Sequence, residues 1–251
     1  MTTATRIDQI PAIDRREAAT IATTEYRRFV EFLRGLGTDD WSRPTDCPGW
    51  DVRAVAGHTL GMMSDFTSLA NVLRRTRAAS RAAKSSGGAA LDQMTAMQVA
   101  ATAALSTDEL VSEAAAVGQR AARWRTKSNP VFRHMPVKQE VGGKTETWRM
   151  SYLLDVILTR DAWMHRVDIS HATGRPMVLT PEHDGRIVAD VVAEWGRRHG
   201  KPFRLELTGP AGGSFTQEDH GEEITLDAVE FCRTVSGRAA GTGLLTQEVP
   251  F

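Results

Sequence analysis

Three residues define the chemistry this sequence can host: His58, Asp161 and His165. Asp161 and His165 stand at i, i+4, a spacing that brings two side chains to one side of a helix. With 31 acidic residues and 7 histidines in 251 positions, roughly one such pair is expected by chance, so spacing alone carries little. The setting carries more. Met150, Leu154, Ile157, Leu158, Asp161, Met164, His165 and Asp168 recur at three-and-four spacing, which puts a carboxylate inside a largely apolar stripe. Burying an unpaired carboxylate costs several kcal/mol, so Asp161 should be protonated, ion-paired or metal-bound. His58, on the inward side of a different helix, is the third candidate ligand. Two histidines and a carboxylate with one position left open suit zinc and some other divalent ions. The plainer alternative is a hydrogen-bonded core histidine with Asp161 paired to Arg160 or Arg166.

The elements that must carry these residues follow from periodicity. Asp14 to Leu36 repeats apolar residues at helical spacing and closes on Gly35 and Gly37. After TDDWSRPTDCPGW, Asp51 is a good N-cap for a second helix, VRAVAGHTLGMMSDFTSLANVL, which carries His58. Arg74 to Ala90 shifts to Arg, Ala, Ser, Lys and Gly, with SSGGAA as a break. RRTRAASRAAK lacks interleaved aromatics and reads as a solvated helix extension rather than a nucleic-acid arm. Leu91 to Trp124 is Ala-rich and helical, with a cap at Ser106-Thr107-Asp108-Glu109. A polar, extended stretch spans Pro136 to Gly143, and the fourth long helix runs from about Thr147 to Ala172, stopping before Gly174-Arg175-Pro176. Four long helices imply a bundle. Past Pro176 come a helix over Pro181 to His199, a strand in FRLELTG, a turn at PAGGSF, a strand near Glu223 to Leu226 and a short helix over Asp227 to Val235.

Bulk properties narrow the function classes. Lys+Arg and Asp+Glu both number 31, so no net field favours nucleic acid or an anionic membrane. Cys47 and Cys232 are too few for a disulfide scaffold, and no stretch approaches the length of a bilayer span, which together suggest the cytoplasm. Cys47, with no partner nearby in sequence, reads as a small buried residue before Pro48. Trp41 and Trp50 read as packing around the PGW turn.

WSRPTDCPGWDVRAVAGHTLG, then RDAWMHRVDI followed by TGRP, then DAVEFCRTVSGR, in that order from about residue 41 to 245, resemble the mycothiol-dependent maleylpyruvate isomerase family, part of the DinB-like four-helix metal-binding superfamily. The resemblance implies a mainly α fold: a DinB-like four-helix bundle over residues 1–175, followed by a small α/β C-terminal domain over 176–251. It implies zinc, or another divalent metal, held by a histidine matching His58, a glutamate at the position of Asp161 and a histidine matching His165. Position 161 departs by one methylene. It further implies mycothiol as cosubstrate, activated as thiolate to isomerise a maleylpyruvate-like acid or to be transferred to an electrophile. Arg238, in the late motif, is the candidate anion contact, and Arg160 and Asp168 are candidates to support the ligands. The expected partners are a small-molecule substrate and a low-molecular-weight thiol, with no nucleic acid or membrane, for a monomer or homodimer. Two other readings stay open: a metal-bound water in the same pocket with no thiol, and a non-catalytic metal- or ligand-binding protein.

Overall fold

The computed structural model describes residues 4–218 and 220–251. It is mainly α. In chain order the elements are β1 (Thr5–Arg6), α1 (Arg15–Arg34), α2 (Val52–Asp65), α3 (Leu69–Ser86), α4 (Ala90–Thr102), α5 (Thr107–Lys127) and α6 (Pro130–His134). There follow β2 (Pro136–Val141), β3 (Lys144–Arg149), α7 (Met150–Tyr152), a π-turn over Leu153–Ile157, and α8 (Leu158–Thr173). A second π-turn, Pro181–Gly185, leads into α9 (Arg186–His199), then β4 (Phe203–Thr208), β5 (Gly213–Gln217), β6 (Glu222–Asp227) and α10 (Ala228–Val235).

Backbone contacts divide the chain into two compact units, and the division is not a single cut near residue 175. The larger holds Arg15–Gln139 and Thr147–Met177; the smaller holds Val178–Phe251 together with the stretch up to Asp14 and Glu140–Glu146. In the larger unit α1 packs on α5 and α8, and α2 on α5, α8 and α4. The bundle is therefore α1, α2, α5 and α8, with α3 and α4 as an added hairpin. Its core is Tyr26, Phe29, Leu33, Val55, Met63, Leu110 and Leu154, each almost wholly buried. In the smaller unit the sheet order is β1-β5-β4-β6. β4 runs antiparallel to β5 (Leu205 opposite Phe215) and parallel to β6 (Leu205 opposite Ile224). Phe203, Leu205 and Leu207 point to the buried side while Arg204, Glu206 and Thr208 face out, the alternation of a half-buried strand. Among the described residues no helix is long and apolar enough to cross a membrane.

Several expectations need correction. The expected second helix is two, because Ser68 starts a new one by accepting from the Asn71 amide at 3.1 Å. Thr147–Arg149 is strand, not the start of the fourth helix. PAGGSF is only partly turn, since Gly213 already opens β5. The Ser106 cap forms as a capping box, with Glu109 accepting from the Ser106 amide at 2.8 Å.

Two local features shape the elements around His58. Gly57 and Gly61 let α4 lie close on α2: a Cβ at Gly61 would fall 2.6 Å from Gln98 Cβ and 2.8 Å from its Cα. Before α8, the π-turn widens the helix, and the fully buried Arg125 donates to the Leu154 carbonyl through Nε at 2.7 Å and also through Nη2. The same guanidinium donates to Thr159 Oγ1 at 2.8 Å and to the Tyr26 hydroxyl at 2.5 Å. Bulges of this type often lie beside functional sites. Burial pushes the Tyr26 hydroxyl's pKa up, against the opposing pull of Arg125.

Candidate metal centre

α2 and α8 bring the three predicted residues together. Both imidazole Nε2 atoms approach one oxygen, Asp161 Oδ1: His165 at 3.4 Å and His58 at 3.6 Å. The imidazole centroids are 5.0 Å apart and the rings nearly perpendicular. The histidine side chains are 7% exposed and that of Asp161 21%, so the cluster is buried but reachable. Burial opposes charge on Asp161, yet His165 and then His58 beside it hold the carboxyl well below the usual carboxylate range. Burial likewise disfavours a charged His165, and Asp161 outweighs it, raising His165 well above an ordinary histidine.

The arrangement fits a metal ion. Among the described residues, two buried atoms of the cluster, Asp161 Oδ2 and His58 Nδ1, have no hydrogen-bond partner, a costly state in a protein interior. Donor atoms bound tetrahedrally to one ion at about 2.0–2.1 Å lie about 3.3 Å apart. The two N···O separations around Asp161 are close to that value, and one donor atom from each residue lies within 4.8 Å of the others. His165 also shows the backing expected of a ligating histidine: its Nδ1 is 2.9 Å from Asp168 Oδ2.

A family model described as the mycothiol maleylpyruvate isomerase N-terminal domain matches residues 22–170, which span the whole site. The chain belongs to this family. Two solved structures share its fold. One is a mycothiol-dependent maleylpyruvate isomerase, 17% identical with a TM-score of 0.55, covering 100% of this chain and 98% of that one. The other is a point mutant of a mycothiol-dependent maleylpyruvate isomerase, 15% identical with a TM-score of 0.55, covering 96% and 93%. No curated protein matches.

Membership in a mycothiol maleylpyruvate isomerase family gives the remaining residues of the site a context. The loop before α2 contributes two side chains, Cys47 and Trp50, that the sequence alone assigns to packing. Cys47, Pro48, Gly49 and Trp50 form a β-turn closed by the Trp50 amide on the Cys47 carbonyl at 3.0 Å, with proline second and Gly49 third at φ +79°, as a type II turn requires. The turn sets its end residues on either side of the cluster. Cys47 Sγ lies 3.3 Å from Asp168 Oδ2 and 3.9 Å from His165 Nδ1, while the Trp50 ring packs 5.0 Å from His58 and 6.4 Å from His165. One residue earlier, Asp46 Oδ2 pairs with His171 Nδ1 at 2.9 Å, tying the loop to α8. The Pro-Gly signal of the turn is readable in sequence, but which helix face it meets is not. Arg160 is buried on α8 beside Asp161. Arg238 lies in the smaller unit, half-exposed in the loop after α10, its amide bonded to the Arg233 carbonyl at 2.9 Å.

Proposed function

We propose that the chain is a metal-dependent enzyme that uses a low-molecular-weight thiol, mycothiol, on a small unsaturated acid of the maleylpyruvate type, either isomerising it or transferring the thiol to it. The observation that carries this reading is the convergence of His58 Nε2 and His165 Nε2 on Asp161 in a buried but reachable cluster, within a chain of this family. A divalent ion held by these residues, zinc being the one the donor set suits, would supply an open position at which a thiol loses its proton near neutral pH. His165 presents Nε2 because its Nδ1 is engaged by Asp168, and Asp161 contributes the negative charge that favours a cation there. The thiolate of mycothiol forms a C–S bond at one carbon of the cis double bond, and the displaced electron pair moves into the conjugated carbonyl. Rotation about the new single bond and elimination of the thiolate restore the double bond as trans, so no thiol is consumed. Arg238 is the proposed cation for the substrate's carboxylates. The thiol chemistry and the two free cysteines, Cys47 and Cys232, suit the reducing cytoplasm.

Elemental analysis of the purified protein, with turnover of maleylpyruvate in the presence and absence of mycothiol, tests the proposal. Stoichiometric metal that is lost in His58→Ala, and activity that requires the thiol, are the expected results. Undiminished activity without thiol, or metal content indifferent to His58→Ala, would overturn it. Arg238→Ala is expected to raise KM for the acid while leaving KM for the thiol unchanged.

A further inference from the structure

We propose that Asp168 and Cys47 are positioning residues of this site: the Asp168 carboxylate, held by the Cys47 thiol, fixes the His165 imidazole so that Nε2 faces Asp161 and His58. The inference rests on the metal reading above and gives a role to a carboxylate and a thiol that meet the imidazole at Nδ1.

Asp168 is fully buried one turn beyond His165 on the same face of α8. A carboxylate in that setting persists only where donors meet it. Two of its contacts reach the same oxygen: His165 Nδ1 at 2.9 Å and Cys47 Sγ at 3.3 Å. With Nδ1 occupied as a donor, the lone pair of a neutral His165 is placed on Nε2, the atom 3.4 Å from Asp161. The two histidines are thus unequal. Among the described residues His58 has no such backing, since its Nδ1 is buried without a partner, and its ring packs against Trp50. His165 is the preset ligand and His58 the adaptable one.

The geometry also separates Cys47 from the reacting thiol. Its sulfur sits on the Nδ1 side of His165, away from the Nε2 atoms, and acts as an S–H donor to Asp168. The type II turn makes this possible, because it delivers Cys47 to Asp168 and Trp50 to His58 from four consecutive residues.

Zinc affinity, measured by competition with a chromophoric chelator, and the visible spectrum of the cobalt(II)-substituted protein test the assignment. Asp168→Ala is expected to bind zinc about 10- to 100-fold more weakly, with Asp168→Asn intermediate and the cobalt bands shifted in both. Cys47→Ala is expected to lose less than about tenfold, and Cys47→Ser to recover the loss because its hydroxyl donates to the same oxygen. Should Asp168→Ala fail to fold by circular dichroism, the isosteric Asp168→Asn supplies the readout. If both Asp168 variants bind zinc within about twofold of the parent with unchanged cobalt spectra while His58→Ala loses the metal, the positioning role is wrong and the metal site stands. If the parent itself binds no zinc, both fall.

Discussion

Replacing His58 by leucine separates what the cluster costs the fold from what it does. In the metal-free protein His58 Nδ1 is buried without a partner among the described residues, a state that costs about 1–3 kcal/mol. Its contact with Asp161 Oδ1, at 3.6 Å, is too long for a good hydrogen bond and returns less than about 1 kcal/mol. A leucine of similar bulk removes both, so His58→Leu without metal should be more stable than the parent by about 1 kcal/mol, or about 2–4 °C in Tm for a chain of this size. With zinc the order reverses. At a hundredfold excess over its Kd the ion stabilises the parent by about 2.7 kcal/mol, a rise of about 5–11 °C, and the variant should show none of it. Thermal denaturation of both proteins, with chelator and with zinc, reads the four values. A metal-free variant that melts several degrees below the parent, or a zinc-dependent rise that survives the substitution, would refute the reasoning.

Three further outcomes follow from particular contacts. Asp161→Glu, which installs the residue the family resemblance implies, should keep stoichiometric zinc by elemental analysis, whereas Asp161→Ala should lose it. Gly61→Ala drives a Cβ to 2.6 Å from Gln98 Cβ; overpacking of about 1–3 kcal/mol, offset by up to about 1 kcal/mol of helix propensity, predicts a net loss of about 1–2 kcal/mol in urea denaturation. His199 is held below an ordinary histidine by burial; its Nδ1 accepts from the Lys201 amide at 3.0 Å and its buried Nε2 has no partner among the described residues. The unfolded chain therefore takes up a proton near pH 6.5 that the folded chain takes up only at lower pH. Stability is full above that value and declines as pH falls below it, and His199→Gln should flatten that part of a Tm-against-pH curve.

The candidate ligands on helices are legible in the sequence, and the loop residues packed beside them are not. Asp161 and His165 stand out because a helix repeats every 3.6 residues and a charge inside an apolar stripe breaks the pattern. The same logic exposed the alternating strand at Phe203–Thr208, the Asp51 cap on α2 (2.7 Å to the Ala54 amide) and the Ser106 box on α5. It failed where one residue type served two roles. Ser68 lies inside the expected second helix but caps a new one, and Gly213, inside the expected turn, opens a strand that pairs with β4. Cys47 and Trp50 had no period to betray them. Their placement depends on a turn meeting α8 more than a hundred residues later, a contact with no local signature.

In the metal-free cluster Asp161 and His165 each favour the other's charged form. Asp161 beside it raises His165 well above an ordinary histidine, and His165 in turn draws Asp161 toward its ionised form despite burial. A metal bound there would compete with a proton for the same imidazole nitrogen, and loading the site is expected to release that proton. The sign follows directly: below the raised pKa of His165 each lowered pH unit multiplies the competing proton tenfold, so apparent zinc affinity should fall about tenfold per unit for one proton. Competition titrations from pH 8 to pH 6 measure the slope, and proton release into weak buffer on zinc addition measures the stoichiometry independently. An affinity flat across that range would mean that His165 is neutral in the metal-free protein, and that Asp161 is kept ionised by something other than the imidazole 3.4 Å away.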